Sequence, residues 1–279
     1  MKILNGIELI DLAIYINKTL ILTDFHIGYE EALNKQGVMV PRFQFQEIMK
    51  RIENIFSKLK NHKIDRIIVN GDIKHEFGAI SDQEWRHTLK LLDYFRQHCK
   101  EIILVKGNHD TMLGPIAKKR NIKVVEHYLI STIEKIPMID KKTIKKININ
   151  NEIEKKLKIN NKKIINGKNS IGNKILVTHG NKIPSKALLN GVKTIIIGHE
   201  HPAVSIREGP RAELFKAYLI GKWKNKNLIA QPSFNLVTEG TDVIKEELLS
   251  PFLKQNLKSF DVVIVADKMY RFGKIRDLE

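Results

Sequence analysis

Five short apolar runs rich in β-branched residues punctuate the chain: Leu20-Ile21-Leu22, Ile67-Ile68-Val69, Ile102-Ile103-Leu104-Val105, Ile175-Leu176-Val177 and Ile195-Ile196-Ile197. Runs this short, apolar on both faces, predict buried strands. A hairpin precedes them, Ala13 to Ile16, a turn at Asn17-Lys18, then Thr19 to Leu22. From Pro41 to about Lys60, apolar residues recur at Phe45, Ile48, Met49, Ile52, Ile55, Phe56 and Leu59. This spacing predicts an amphipathic helix with Pro41 at its start and its apolar face in the core. A second helix is expected from Ser81 to about His98, opened by the capping-box sequence Ser81-Asp82-Gln83-Glu84, with Trp85, Leu89, Leu92 and Phe95 on one face.

Strand and helix thus alternate through Val125, which implies a sheet with crossover helices. Beyond Ile197 the pattern changes to short strand candidates at Ala203–Ile206, Leu214–Leu219, Leu228–Ala230 and Val262–Val265, the material of a second, largely antiparallel sheet. The expected fold class is α/β, two mixed β-sheets packed as a sandwich and flanked by helices, in one domain spanning residues 1–279.

Each of the five runs leads into a polar cluster: Thr23-Asp24-Phe25-His26, Asn70-Gly71-Asp72, Gly107-Asn108-His109-Asp110, Thr178-His179-Gly180 and Gly198-His199-Glu200-His201. Polar groups at strand C-terminal ends stand where open α/β sheets bind ligands. Asp24 and His26, one residue apart, would point the same way on an extended segment and share a cation, and His199 and His201 repeat that spacing. Asp72, with two oxygens, can bridge two metals. With Asn108 and His179, seven side chains are available for two ions. Mixed nitrogen and oxygen ligation without thiolate suits Mn²⁺ first, then Fe²⁺ or Zn²⁺. Such a pair activates water for phosphoester cleavage, and His109 is the candidate to stabilise or protonate the leaving oxygen. Asp110 either orients a neighbour or is an exposed loop carboxylate. His62, His87, His98 and His127 are assigned to surface or core.

The net charge of +17 favours polyanionic partners, nucleic acid above all, although a Lys-, Asn- and Ile-rich composition can also follow from AT-rich coding or thermophily. Residues 131–173 concentrate this bias, with 11 Lys against 4 acidic residues and no aromatic, and read as a surface insertion or a basic arm. The single cysteine, Cys99, excludes an intrachain disulfide. No leader-like start or membrane-length apolar run is seen, so a cytoplasmic location without membrane association is expected.

The ordered set Asp-x-His, Gly-Asp, Gly-Asn-His-Asp, His and Gly-His-x-His resembles the calcineurin-like metallophosphoesterases over residues 24–201. The resemblance implies Asp24, His26, Asp72 and His201 as ligands of one metal, and Asp72, Asn108, His179 and His199 as ligands of the other. It implies the four-layer sandwich of that family. Gly71-Asp72-Ile73-Lys74-His75-Glu76 is similar to the corresponding stretch of SbcD-related phosphoesterases, relatives of DNA-repair nucleases that form dimers. That implies a nuclease acting on DNA or RNA, with a homodimer as an expected assembly, His75 placing the phosphodiester or its leaving group, and Lys74 as either a phosphate contact or a solvated loop charge. The alternatives are a phosphodiesterase or phosphatase for small, cyclic nucleotides, and a non-catalytic nucleic-acid-binding repair partner.

Overall fold

The computed structural model describes residues 1–4, 6–132 and 173–278. The chain opens with β1 (Ile7–Ile10), β2 (Ala13–Ile16) and β3 (Thr19–Leu22), an antiparallel meander. Asn17 and Lys18 link β2 to β3 with φ of 45° and 58°, the left-handed pair that a two-residue hairpin turn needs. The next elements are α1 (Tyr29–Lys35), α2 (Gln44–Lys58), β4 (Arg66–Asn70), α3 (Asp82–His98), β5 (Glu101–Val105), α4 (Gly114–Lys119) and β6 (Lys123–Val125). Strands β3 to β6 pair in parallel and complete a six-stranded sheet in the order β1-β2-β3-β4-β5-β6.

The second sheet starts with β7 (His127–Thr132) and β8 (Asn173–Thr178), paired antiparallel from His127 against Thr178 to Thr132 against Asn173. Almost the whole of the Lys-rich stretch therefore connects two paired strand ends, and residues 133–172 lie outside the described residues. A one-turn helix, α5 (Lys186–Leu189), leads to β9 (Val192–Ile197), which pairs in parallel with β8. Then come β10 (Pro202–Glu208), β11 (Arg211–Trp223), β12 (Lys226–Ala230), β13 (Thr241–Asp242), β14 (Asp261–Val265) and β15 (Met269–Lys274). The sheet is mixed, ordered β13-β10-β11-β12-β9-β8-β7, with β14 and β15 joined through β11.

The two sheets pack face to face, and the alternation of side chains along β8 and β9 shows it. Ile175, Val177 and Ile196 enter the core shared with the first sheet and with Ile48, Ile52, Ile55 and Phe95 of α2 and α3. Leu176, Ile195 and Ile197 face the other way, into a second core closed by Leu189, Phe252, Leu253, Leu257 and Phe260. The first sheet's outer layer is thus helical, whereas the second's is α5 plus irregular chain. Buried polar contacts register the sheets: Gln231 Nε2 donates to the carbonyls of Leu12 and Ile21, and Tyr218 OH to those of Asp11 and Ala13.

Helix α3 begins as the sequence indicates, with Ser81 as N-cap and a complete capping box to Glu84. Helix α2 does not begin at Pro41. Its first residue is Gln44, whose amide donates to Glu30 Oε2 at 2.9 Å. That capping carboxylate comes from α1, fourteen residues upstream, so no local rule reveals it.

Candidate metal centre

Strands β3, β4 and β5 of one sheet and β8 and β9 of the other end on one side of the sandwich, and their following loops converge there. The Asn70 side chain ties them together across the sheets by donating to the Thr178 carbonyl at 3.0 Å. Among the described residues three groups can each bring one ligand atom per residue within 4.8 Å of the others: a first set of Asp24, His26 and His201, a second of Asp72, His179 and His199, and a group of His26, His75 and His109 that shares His26 with the first. In the first, His26 Nε2 and His201 Nε2 are 3.2 Å apart, and His201 Nε2 is 3.6 Å from Asp24 Oδ1. In the second, His179 Nε2 lies 3.2 Å from Asp72 Oδ2, 3.2 Å from His199 Nδ1 and 2.9 Å from Asn108 Oδ1. Asp72 Oδ2 is also 3.7 Å from His26 Nε2, so this one oxygen stands between the two sets.

These separations are those expected of atoms around a cation with bonds of about 2.1 Å, whose neighbouring ligands sit about 3 Å apart. Asp24 Oδ1 adds an independent sign. It is buried, and among the described residues it has no hydrogen-bond partner and is faced only by the imidazoles of His179 and His201, each at 3.6 Å, which leaves a cation to complete its surroundings. Asp24 Oδ2, in contrast, accepts from Thr23 Oγ1 at 2.7 Å and from the His199 amide at 3.0 Å. The donor set of imidazoles, carboxylates and one amide fits a divalent metal pair.

The expectation that Asp24 and His26 lie on an extended segment is overturned. Asp24, His26, Asp72, His199 and His201 have φ of 53°, 45°, 47°, 65° and 51°, left-handed values unusual for residues with side chains. The chain turns sharply at these positions, and the carboxylates and rings converge through local backbone strain rather than through strand pleating. Small residues make room: a Cβ on Gly71 would overlap the His179 ring, and one on Gly198 would overlap Thr23 and Asp24.

The electrostatics follow from burial and mutual contact. Burial opposes ionisation of Asp24 and Asp72, yet neighbouring imidazoles, His201 for Asp24 and His179 for Asp72, hold both carboxyls below their ordinary range. Burial also opposes protonation of His179, but the hydrogen bond to Asp72 and the charges of Asp72 and Asp24 raise it to about 9. His199 is lowered to about 4, by burial and then by His179, and His75 to about 4, by burial and then by His109.

Beside the first set, His75 Nδ1 lies 3.2 Å from His26 Nδ1, and the His109 ring stands 4.7 Å from the His26 ring. His109 Nδ1 is engaged by the His75 carbonyl, and its amide donates to Asp72 Oδ1 at 2.8 Å. Asp110 is buried, not an exposed loop carboxylate: its Oδ2 accepts from the amides of Asp72 at 2.8 Å and Gly107 at 2.9 Å. It therefore ties the Asp72 loop to the Gly107 loop. Lys74 is not a solvated charge. Its side chain is buried, and Nζ donates to the carbonyls of His109, at 3.0 Å, and Glu76. Backbone acceptors draw this ammonium inward because both loops expose carbonyls there.

Two supporting groups escape the sequence reading. The Asn70 carbonyl lies 3.2 Å from His179 Nδ1, and Glu84 receives the amides of His75 at 3.0 Å, Glu76 at 2.8 Å and Ser81 at 2.7 Å. The capping-box signature pointed to Glu84 only as the opening of a helix. His62, His87 and His98 stand away from the cluster, against Tyr15, Phe45 and Phe56 respectively, and His127 is exposed on β7.

Comparison with solved structures places the chain beside the Pseudomonas putida nuclease MPE, at 15% identity and a TM-score of 0.54, covering 95% of this chain and 93% of that one. Yfce, a phosphoesterase from E. coli, matches at 10% identity with a TM-score of 0.37, covering 94% and 99%. No curated protein sequence matches. Among the described residues no helix is long and apolar enough to cross a membrane. Residues 18–203, two thirds of the chain, match the family model for Calcineurin-like phosphoesterase, and the chain belongs to that family of dinuclear-metal hydrolases.

Proposed function

We propose that this protein is a phosphodiesterase of the SbcD-related branch that cleaves nucleic acid, DNA or RNA, at single strands or ends, in a role connected with repair. Asp24, His26, Asp72 and His201 hold one divalent ion, and Asp72, Asn108, His179 and His199 the second, with Mn²⁺ as the working metal. The position of Asp72 Oδ2 between the two sets carries this reading. A bound metal pair supplies hydroxide at neutral pH and polarises the phosphoester. The chain's own groups do the rest. The His109 amide and the bonds from Asp110 to two amides hold the Asp72 loop in place. With Nδ1 of His109 engaged by the His75 carbonyl, Nε2 is left to exchange a proton with the leaving oxygen. His75 adds a neutral imidazole beside that path. The +17 charge supports a polyanionic substrate, as does the fold shared with a P. putida nuclease.

The test combines metal analysis of the purified protein with a cleavage panel: labelled single- and double-stranded oligonucleotides, bis-p-nitrophenyl phosphate, p-nitrophenyl phosphate and cyclic nucleotides. Mn²⁺-dependent oligonucleotide cleavage is expected, and Asp72→Asn should reduce it by at least about a hundredfold, since the shared charge is lost. Intact oligonucleotides alongside turnover of cyclic or mononucleotides would replace the polymer by a small substrate. Salt-sensitive binding without turnover of any ester would leave a binding protein.

A further inference from the structure

Four rings run in contact beside the centre, with His75 and His109 next to the His26 ring and Tyr29 and Phe77 at the two ends. Tyr29 lies 4.4 Å from His75, His75 lies 5.2 Å from His109, and His109 lies 3.8 Å from Phe77, centroid to centroid. The strip ends at Phe77, whose inner face is covered by His109 and which is 52% exposed. A lone exposed apolar side chain is ordinary on any surface. This one differs in two respects. It sits one ring beyond the group proposed to act on the leaving oxygen. Its loop is also clamped: Glu84 takes the amides of His75 and Glu76, Lys74 binds the Glu76 carbonyl, and Thr111 Oγ1 donates to the carbonyl of Phe77 itself. The ring is held out on a fixed support instead of folding onto apolar neighbours.

We infer that Phe77 is a stacking platform for a nucleobase flanking the scissile phosphate, so that the favoured substrate is an unpaired strand. This rests on the nuclease reading above. Stacking on an aromatic ring tolerates any base, because every base has a π-face. A base seated there has left its duplex stack, which single strands, loops and frayed ends permit at low cost. The strongly basic chain supplies the attraction for the backbone while Phe77 engages the base, the combination that single-strand binders use.

The experiment compares wild type, Phe77→Ala and Phe77→Trp with Mn²⁺ on an oligo-dT strand and on a strand of the same backbone carrying abasic tetrahydrofuran residues. For Phe77→Ala, KM on oligo-dT should rise by about tenfold, the size of one lost base–aromatic stack, with the loss falling on KM rather than kcat. Phe77→Trp should restore it. On the abasic strand, wild type and Phe77→Ala should have the same KM, and failure of wild type to cleave that strand would equally support a need for the base. Unchanged melting temperature shows that the variants are folded. Wild-type KM on oligo-dT for Phe77→Ala, or an equal rise on both strands, overturns the inference while leaving the nuclease reading intact. Cleavage of small esters but of no oligonucleotide by wild type overturns the nuclease reading itself, and this inference with it.

Discussion

The main-chain carbonyl of Asn70 lies 3.2 Å from His179 Nδ1, and the same ring turns Nε2 towards Asp72 and Asn108. A main-chain acceptor thus fixes the ring's tautomer and orientation, as second partners of metal-bound histidines commonly do. Gly71, next in the chain, has φ of 88° and would drive any Cβ into that ring. Gly71→Ala should therefore displace His179 and lower Mn²⁺ affinity by about tenfold to a hundredfold, read by metal titration and mass spectrometry. Retention of both ions at wild-type affinity would show that the ring does not depend on this glycine.

Metal uptake should release a proton from His179. In the metal-free protein this imidazole keeps its proton up to about pH 9, whereas His199, at about 4, is already neutral. Ligation requires a free Nε2, so affinity should climb as pH rises towards 9 and level off above it. Calorimetric titration with Mn²⁺ at pH 7.5, in two buffers of different ionisation enthalpy, should report about one proton released from this ring. Identical heats in the two buffers would contradict the assignment.

Asp110 should make the metal-free protein less stable as pH rises. Burial, then the charge of Asp72, lifts its carboxyl to about 7 from an ordinary 3.8. The folded state therefore holds this proton more tightly than the unfolded chain. The resulting stabilisation is complete below about pH 4 and disappears as pH passes through 7. Oδ2 takes both amide bonds while Oδ1 has no partner among the described residues, so an asparagine can keep the acceptor and lose the titration. In chelator, Asp110→Asn should lose several degrees less in Tm between pH 5 and 8 than wild type, and parallel curves would refute the linkage.

Lys74 should behave as a brace. Because its ammonium is committed to the carbonyls of His109 and Glu76, Lys74→Met should lower Tm and kcat while leaving the salt dependence of KM for an oligonucleotide unchanged. A side chain that neutralised a phosphate would instead reduce that slope by about one. Salt series on both proteins separate the two roles.

How much of this was legible in the sequence depends on the range of the interaction concerned. The apolar runs at Leu20–Leu22 or Ile195–Ile197 announce strands because burial on both faces leaves no polar alternation. The polar residues that follow them announce a site because five of them recur at strand ends. The start of α2 was hidden, since its cap is Glu30 from another helix. The left-handed backbone at Asp24 and His201 was hidden as well, because nothing in those residue types demands it. The burial of Lys74 was hidden too, because its acceptors are main-chain atoms whose positions depend on the complete fold.

The seven proposed ligands are divided between the two halves of the sandwich. Asp24, His26, Asp72 and Asn108 follow strands of the first sheet, and His179, His199 and His201 follow strands of the second. Each cation held by these residues would accordingly draw on both, and the pair would act as a rivet through the seam. Stripping it would remove one tie between the halves at that edge, beside those that Asn70 and the shared core supply, so resistance to slippage there and catalytic competence would fall together.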